Sequence, residues 1–249
     1  MNKRKEPQGS NYFASMTDML VGILFIFVIM IAFFAFLEKS QKNPLQDIVE
    51  GGVKSRVCVV NTMIEELQNS GIDARTEREG VVTISGKGLF ASAQSDLKSV
   101  LGAVGRVDTI GEILLKQVKS FSITSVVADN SVCNRNGVYV ESVFVEGHTD
   151  NIPVTSILTD GSTTNLELSA RRATNTYQQL VKSSPGLLDV LNPRNQQALS
   201  VASYGEQRPI ANNALSLGRE DNRRIDIRFV MHIPETIADA ERLRATVSP

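Results

Sequence analysis

Apolar and polar positions divide the chain into three stretches with different patterns. In the first, residues 19–37 pass without a charge, nineteen positions that span about 28 Å as a helix, close to the thickness of a bilayer's hydrocarbon core. The pattern predicts a membrane-spanning helix over residues 12–37, preceded by a polar tail, residues 1–11, with Pro7 and Gly9. Tyr12 and Phe13 suit the aromatic belt at a membrane surface. Asp18 stands just inside the apolar edge, at a depth where an unpartnered charge costs about 2 kcal/mol or more.

The second stretch, residues 38–71, is polar and holds Pro44 and Gly51-Gly52, which predicts a linker. It ends in a short helix over 55–69, where Val57, Val60, Ile64 and Leu67 recur at helical spacing and Asn69-Ser70-Gly71 stops the run. The third stretch, 72–231, mixes both periods. Strands are predicted over 72–78 and 81–85 around the turn at Glu79-Gly80, and over 121–127 and 139–146 around a loop, 128–137. Residues 96–118 read as one long helix or two short ones, because Gly102, Gly105 and Gly111 interrupt the apolar stripe. A helix over 166–181 stops at Ser183-Ser184-Pro185-Gly186, and strands follow over 199–204 and 224–231. Residues 232–249 are a charged tail capable of helix. This order of elements predicts an α+β domain with helices packed on one sheet.

Composition changes little in this picture. The net charge of -1 over 249 residues and 21% charged residues carry no bulk positive charge, so direct nucleic-acid binding is not expected. Lys3-Arg4-Lys5 would open a secretory signal, but the apolar run is longer than a signal core and no A-x-A-like site precedes Glu38-Lys39, so the helix reads as an uncleaved anchor. Lys39, Lys42, Lys54 and Arg56 balance the N-terminal cluster, and charge alone does not orient the helix. Cys58 and Cys133 both follow the anchor; an exported domain permits them one disulfide, the alternative being two unpaired thiols.

Candidate chemistry sits where strands end. Gly86-Lys87-Gly88 fails as a phosphate loop, since Gly88 stands where Ser or Thr should follow the lysine. His148 and Asp150 have an H-x-D spacing, yet no third ligand stands at a convincing distance along the chain, so no metal is expected. No G-x-S-x-G, Cys/His pair or paired acid suggests hydrolysis, which points to a binding protein without cofactor rather than an enzyme. Two polar clusters remain: Glu146 to Asn151 after a strand, and Asn165 to Ala173 opening a helix, where free N–H groups favour an anion.

EGHTD, NLELSARRA, SYGEQRPIANN and NRRIDIRF, in this order, resemble the OmpA-like peptidoglycan-binding domain over about residues 72–231. The resemblance implies helices on one face of a mixed β-sheet, in the periplasm. It implies that Asp150, of the TD pair, and Arg172 grip the diaminopimelate of the cell-wall stem peptide, with Thr149, Asn165, Leu168, Asn222 and Arg223 lining the same pocket. The chemistry agrees: diaminopimelate carries ammonium and carboxylate together, and a carboxylate facing a guanidinium complements both. The other reading of Asp150 and Asn165 is a turn and a helix cap.

A cell-wall tether needs no carboxylate in the membrane. A single anchor with an early Asp, a linker and an OmpA-like domain resembles the B subunit of ion-driven stators of the MotB type. That implies Asp18 takes up and releases the coupling ion, H+ or Na+, against a ring of MotA-like A subunits, with the N-terminus cytoplasmic, the anchor in the bacterial inner membrane and residues 38–249 periplasmic. The run SMTDMLVGILFIFVIMIAFF resembles most the B subunit, ZorB, of the Zorya anti-phage system, which implies a ZorA-like partner and a five-to-two complex around a self-dimer. Flagellar rotation and a passive tether are the alternatives, as is a capping role for Asp18 at the helix N-terminus.

Overall fold

The computed structural model describes residues 9–40, 44–125, 132–134, 138–234 and 236–245. It divides into two compact units, 1–46 and 47–249. The first is a helix, α1 (Gly9–Ser40), within which Ser15–Leu37 is long and apolar enough to cross a membrane. Every side chain from Ser15 to Leu37 is exposed, the opposite of what a helix with this composition does in a water-soluble core. The helix begins at Gly9, inside the tail expected over 1–11, and residues 1–8 lie outside the described residues.

Instead of a linker over 38–71 with a short helix at its end, the chain forms α2 (Pro44–Asn69), continuous through Gly51-Gly52. The folded unit therefore starts at Asp47, not at residue 72. Tertiary packing outweighs the low helix propensity of the glycine pair: Gly52 lies against Met231 and Val138, and Val59, Val60, Met63 and Leu67 are buried in the core. Glu66 on α2 also accepts from Lys116 and Gln117 on α3 (Ala103–Val118). Cys58 is bonded to Cys133, with Cα atoms 5.4 Å apart, so α2 is tied to the segment that leads into the third strand. Removing this link by Cys58→Ser is expected to lower stability by about 2–4 kcal/mol, because the bridge closes a long loop in the unfolded chain. Urea unfolding of the full chain with and without reductant measures it, and a midpoint that reductant leaves in place would count against it.

Five strands make one sheet in the order β1-β2-β5-β3-β4: β1 (Ala74–Arg75), β2 (Val81–Ser85), β3 (Val140–His148), β4 (Leu199–Gly205) and β5 (Arg224–Met231). All pairs are antiparallel except β3 with β4, so the sheet is mixed. The parallel pair requires a crossover, which α4 (Asn165–Ser183) supplies, packing on both strands and against α3. Thr164 caps α4 by accepting from the Glu167 N–H, and Glu167 in turn accepts from the Thr163 N–H. Gly147 on β3 has no alternative here: a Cβ would lie 2.1 Å from the Ser169 carbonyl on α4. Residues 121–125 do not form the strand expected there; Lys119–Phe121 is a 3-10 turn whose Phe121 is buried, and the Ser122 hydroxyl accepts from the Leu191 N–H. Residues 126–131 and 135–137, which include most of the expected loop, lie outside the described residues. Gly86–Gly88 is a single 3-10 turn, and two short helices, α5 (Ser216–Asn222) and α6 (Ile237–Ala245), complete the fold.

Candidate functional site

Strand alternation sends Val143, Val145 and Gly147 of β3 towards α4, and Glu146 and His148 to the other face of the sheet. There they meet Arg224, Asp226 and Arg228 from β5. Arg228 grips Glu146 with two bonds, Nε to Oε1 at 2.7 Å and Nη2 to Oε2 at 2.8 Å, while Arg224 Nε donates to both oxygens of Asp226 at 3.1 Å. His148 stacks on Tyr204 and its Nε2 lies 3.2 Å from Asp226 Oδ2. Glu146, His148 and Asp226 offer three ligand-type atoms within 4.8 Å of one another, so the third partner for His148 that was absent along the chain is supplied by β5 through space. Each carboxylate already has its own guanidinium, however, and two acids against two arginines leave no charge for a cation to balance. Burial holds the His148 pKa below its ordinary value, against the pull of Asp226, so the ring is neutral at pH 7. The cluster braces the sheet.

The ligand-type site lies beyond the C-terminal ends of β3 and β4, beside the first turn of α4. Thr149 N–H donates to the Gly205 carbonyl and brings the chain off β3, so that Asp150 faces a cleft of about 290 Å³. Asp150 Oδ1 accepts from the Ile152 N–H at 3.0 Å and Oδ2 from Arg223 Nη1 at 2.5 Å. Arg172 comes from α4, 4% exposed, with Nε donating to the Gln94 carbonyl at 2.8 Å and Nη2 to that of Ala91 at 3.1 Å, its guanidinium over the Phe90 ring. Among the described residues nothing accepts from its Nη1. Burial lowers the Arg172 pKa to about 10, with repulsion from Arg223 adding to it and Asp150 and Asp160 opposing, so the group stays charged at neutral pH. The Thr149 hydroxyl, buried in the lining, also has no partner among the described residues.

Of the residues expected in one pocket, Thr149, Asp150, Asn165, Leu168, Arg172 and Arg223 all line this cleft. Asn165 braces it, donating to the Ile152 carbonyl at 2.9 Å and to Glu206. Asn222 does not line it. Its amide is fully buried and spent on the neighbouring turn: Oδ1 accepts from the Ile210 and Ala211 N–H groups, and Nδ2 donates to the Ala211 carbonyl and to Asn213. Asn222 therefore ties the turn at 210–213 to the end of α5, directly before Arg223. Sequence reasoning missed the segment 91–94, which fixes Arg172 and contains Ala93 at φ 54°. It also missed the wall from Ile152 to Leu158. Neither has a motif; the first lies 78 residues from the arginine it holds.

The model of the OmpA family matches residues 117–223. A stretch of 86 residues is 31% identical to Motility protein B of Bacillus subtilis (strain 168), covering 34% of this chain and 29% of that protein, less than a third of the relative's length. Among solved structures the chain is similar to the cell wall anchor of the T6SS from Pseudomonas aeruginosa, at 21% identity over 71% of this chain and 99% of that one, TM-score 0.47. It is also similar to the periplasmic domain of Helicobacter pylori MotB, at 21% identity over 72% of this chain and 91% of that one, TM-score 0.44. The architecture is thus one N-terminal apolar helix followed by an OmpA-like domain with helices on a mixed sheet.

Proposed function

We propose that the chain is the B-type subunit of an ion-driven inner-membrane stator, fastened to peptidoglycan by its OmpA-like domain. The observation that carries the wall-binding half is the convergence of one carboxylate, Asp150, and two guanidiniums, Arg172 and Arg223, in a single cleft. An amino acid end bearing ammonium and carboxylate, as diaminopimelate does, complements that set: the ammonium against Asp150, the carboxylate against the unused Nη1 of Arg172. Arg172 is held by backbone carbonyls before any ligand arrives, so little side-chain freedom is lost on binding. Asp150→Ala and Arg172→Ala are each expected to weaken binding of the full chain to isolated sacculi by more than about ten-fold, because removing one partner of a desolvated pair strands the other. Co-sedimentation measures this, with circular dichroism as the control for folding. Unchanged binding by a folded double variant would refute the site.

For the stator half, support comes from Asp18, which lies within the span Ser15–Leu37. In this reading two copies of the chain stand inside five MotA-like A subunits, the N-terminus is cytoplasmic, and Asp18 carries H+ or Na+ while the wall supplies the reaction point. The likeness of residues 15–34 to ZorB supports phage defence of the Zorya type as the driven output. Flagellar rotation is the second reading, favoured by the match to Motility protein B. Deleting the gene separates them: loss of phage resistance with motility intact supports the first, and loss of swimming the second.

A further inference from the structure

A second cleft, of about 280 Å³, adjoins the first and shares Arg172, Arg223 and Ser92 with it. The wall-binding reading above uses the side of these two guanidiniums that faces the first cleft. We infer that this cleft is a second subsite, which takes a carboxylate-bearing residue of the stem peptide next to diaminopimelate; the inference rests on the wall-binding reading above.

Three features point to such a ligand. Arg172 and Arg223 both line this cleft and repel each other, and Asp150, though it attracts both, hydrogen-bonds Arg223 and not Arg172, so the pair favours a carboxylate on this side as well. Phe90 and Val100 give the second cleft an apolar floor suited to methyl or methylene groups. At the rim, Lys87 Nζ pairs with Glu220 at 2.8 Å, its side chain 75% exposed. An exposed pair of this kind contributes little, so an arriving carboxylate can take Lys87 from Glu220 at small cost. A ligand with its diaminopimelate end on Asp150 and Arg172 thus finds, one residue further on, an apolar floor and an ammonium ready to change partner.

Either chain neighbour of diaminopimelate offers that chemistry: the γ-linked glutamate before it, through its free α-carboxylate, or a terminal alanine after it, through its methyl and carboxylate. Calorimetric titration of the full chain in detergent with free meso-diaminopimelate, γ-D-glutamyl-diaminopimelate and diaminopimelyl-D-alanine distinguishes them. One dipeptide is expected to bind about three-fold tighter than the free amino acid or better, Lys87→Ala to remove that gain, and Glu220→Gln to enlarge it, with affinity for the free amino acid unchanged in both variants. Equal affinity for all three ligands, or a Lys87→Ala shift common to all three, overturns the second subsite and leaves the first intact. If the wild-type chain binds none of them, the wall-binding reading falls and this inference with it.

Discussion

On the stator reading, Asp18→Asn is expected to abolish the driven output, whether phage resistance or swimming, while the variant still co-purifies with the proposed A subunit. The substitution keeps size and hydrogen-bonding capacity but cannot gain or lose a proton. The remainder of Ser15–Leu37 is free of charge after Asp18, so no neighbouring residue on the span can take over. An ionised carboxylate just inside the apolar edge costs about 2 kcal/mol or more without a partner, and each charge moved across the membrane is worth about 2.3 kcal/mol per 100 mV. Those two magnitudes are comparable, so on that reading ion uptake at Asp18 would be enough to bias a partner that contacts it. Asp18→Glu, which titrates, is expected to retain part of the output. Full function in Asp18→Asn would refute ion carriage by Asp18 and favour the passive tether, for which only the wall cleft matters.

Asp226→Ala is expected to destabilise the folded unit by about 3–5 kcal/mol, the cost of leaving a buried charge without its partner. The stranded group is Arg224, whose side chain is 1% exposed and whose hydrogen bonds besides those to Asp226 go, among the described residues, to backbone carbonyls, with Glu146 adding a weaker attraction. For a unit of this size the loss lowers the melting temperature by about 10 °C. Asp226→Asn, which keeps an acceptor, is expected to cost less. The same pair sets an acid limit. Burial acts to raise the Asp226 pKa, but His148 and Arg224 together outweigh it and hold the carboxyl below its ordinary value. A group depressed in the folded state stabilises above its unfolded pKa and loses that contribution as pH falls through the folded value, so the loss begins below about pH 4. Thermal melts at pH 7 and pH 3 on wild type and variant measure both effects. A variant within about 1 kcal/mol of wild type at pH 7 would show that the cluster does not brace the sheet.

The elements legible from the chain were those whose pattern is local. The span Ser15–Leu37, the stripe of α4 and the alternation of β5 follow from apolar spacing that is fixed within a few residues of each position. Elements whose partners are remote were not legible. Gly51-Gly52 reads as a break yet lies inside α2, because Val138 and Met231 pack against it from elsewhere in the chain. Residues 121–125 have strand composition, but their hydrogen bonds go to Leu191 and neighbouring turns.

By itself the sequence determined an N-terminal apolar helix carrying one acid, an α+β domain behind it, and the identity of Asp150 and Arg172 as opposite charges near one strand end and one helix start. Hydropathy and short motifs suffice for that, since each is written in consecutive residues. Only the tertiary structure decided that Arg223 reaches Asp150 across 73 residues of chain, that Asn222 serves the turn instead of the cleft, and that Glu146 and Asp226 surround His148. Those contacts depend on β5 lying between β2 and β3 in the sheet, and no spacing along the chain encodes which strands become neighbours.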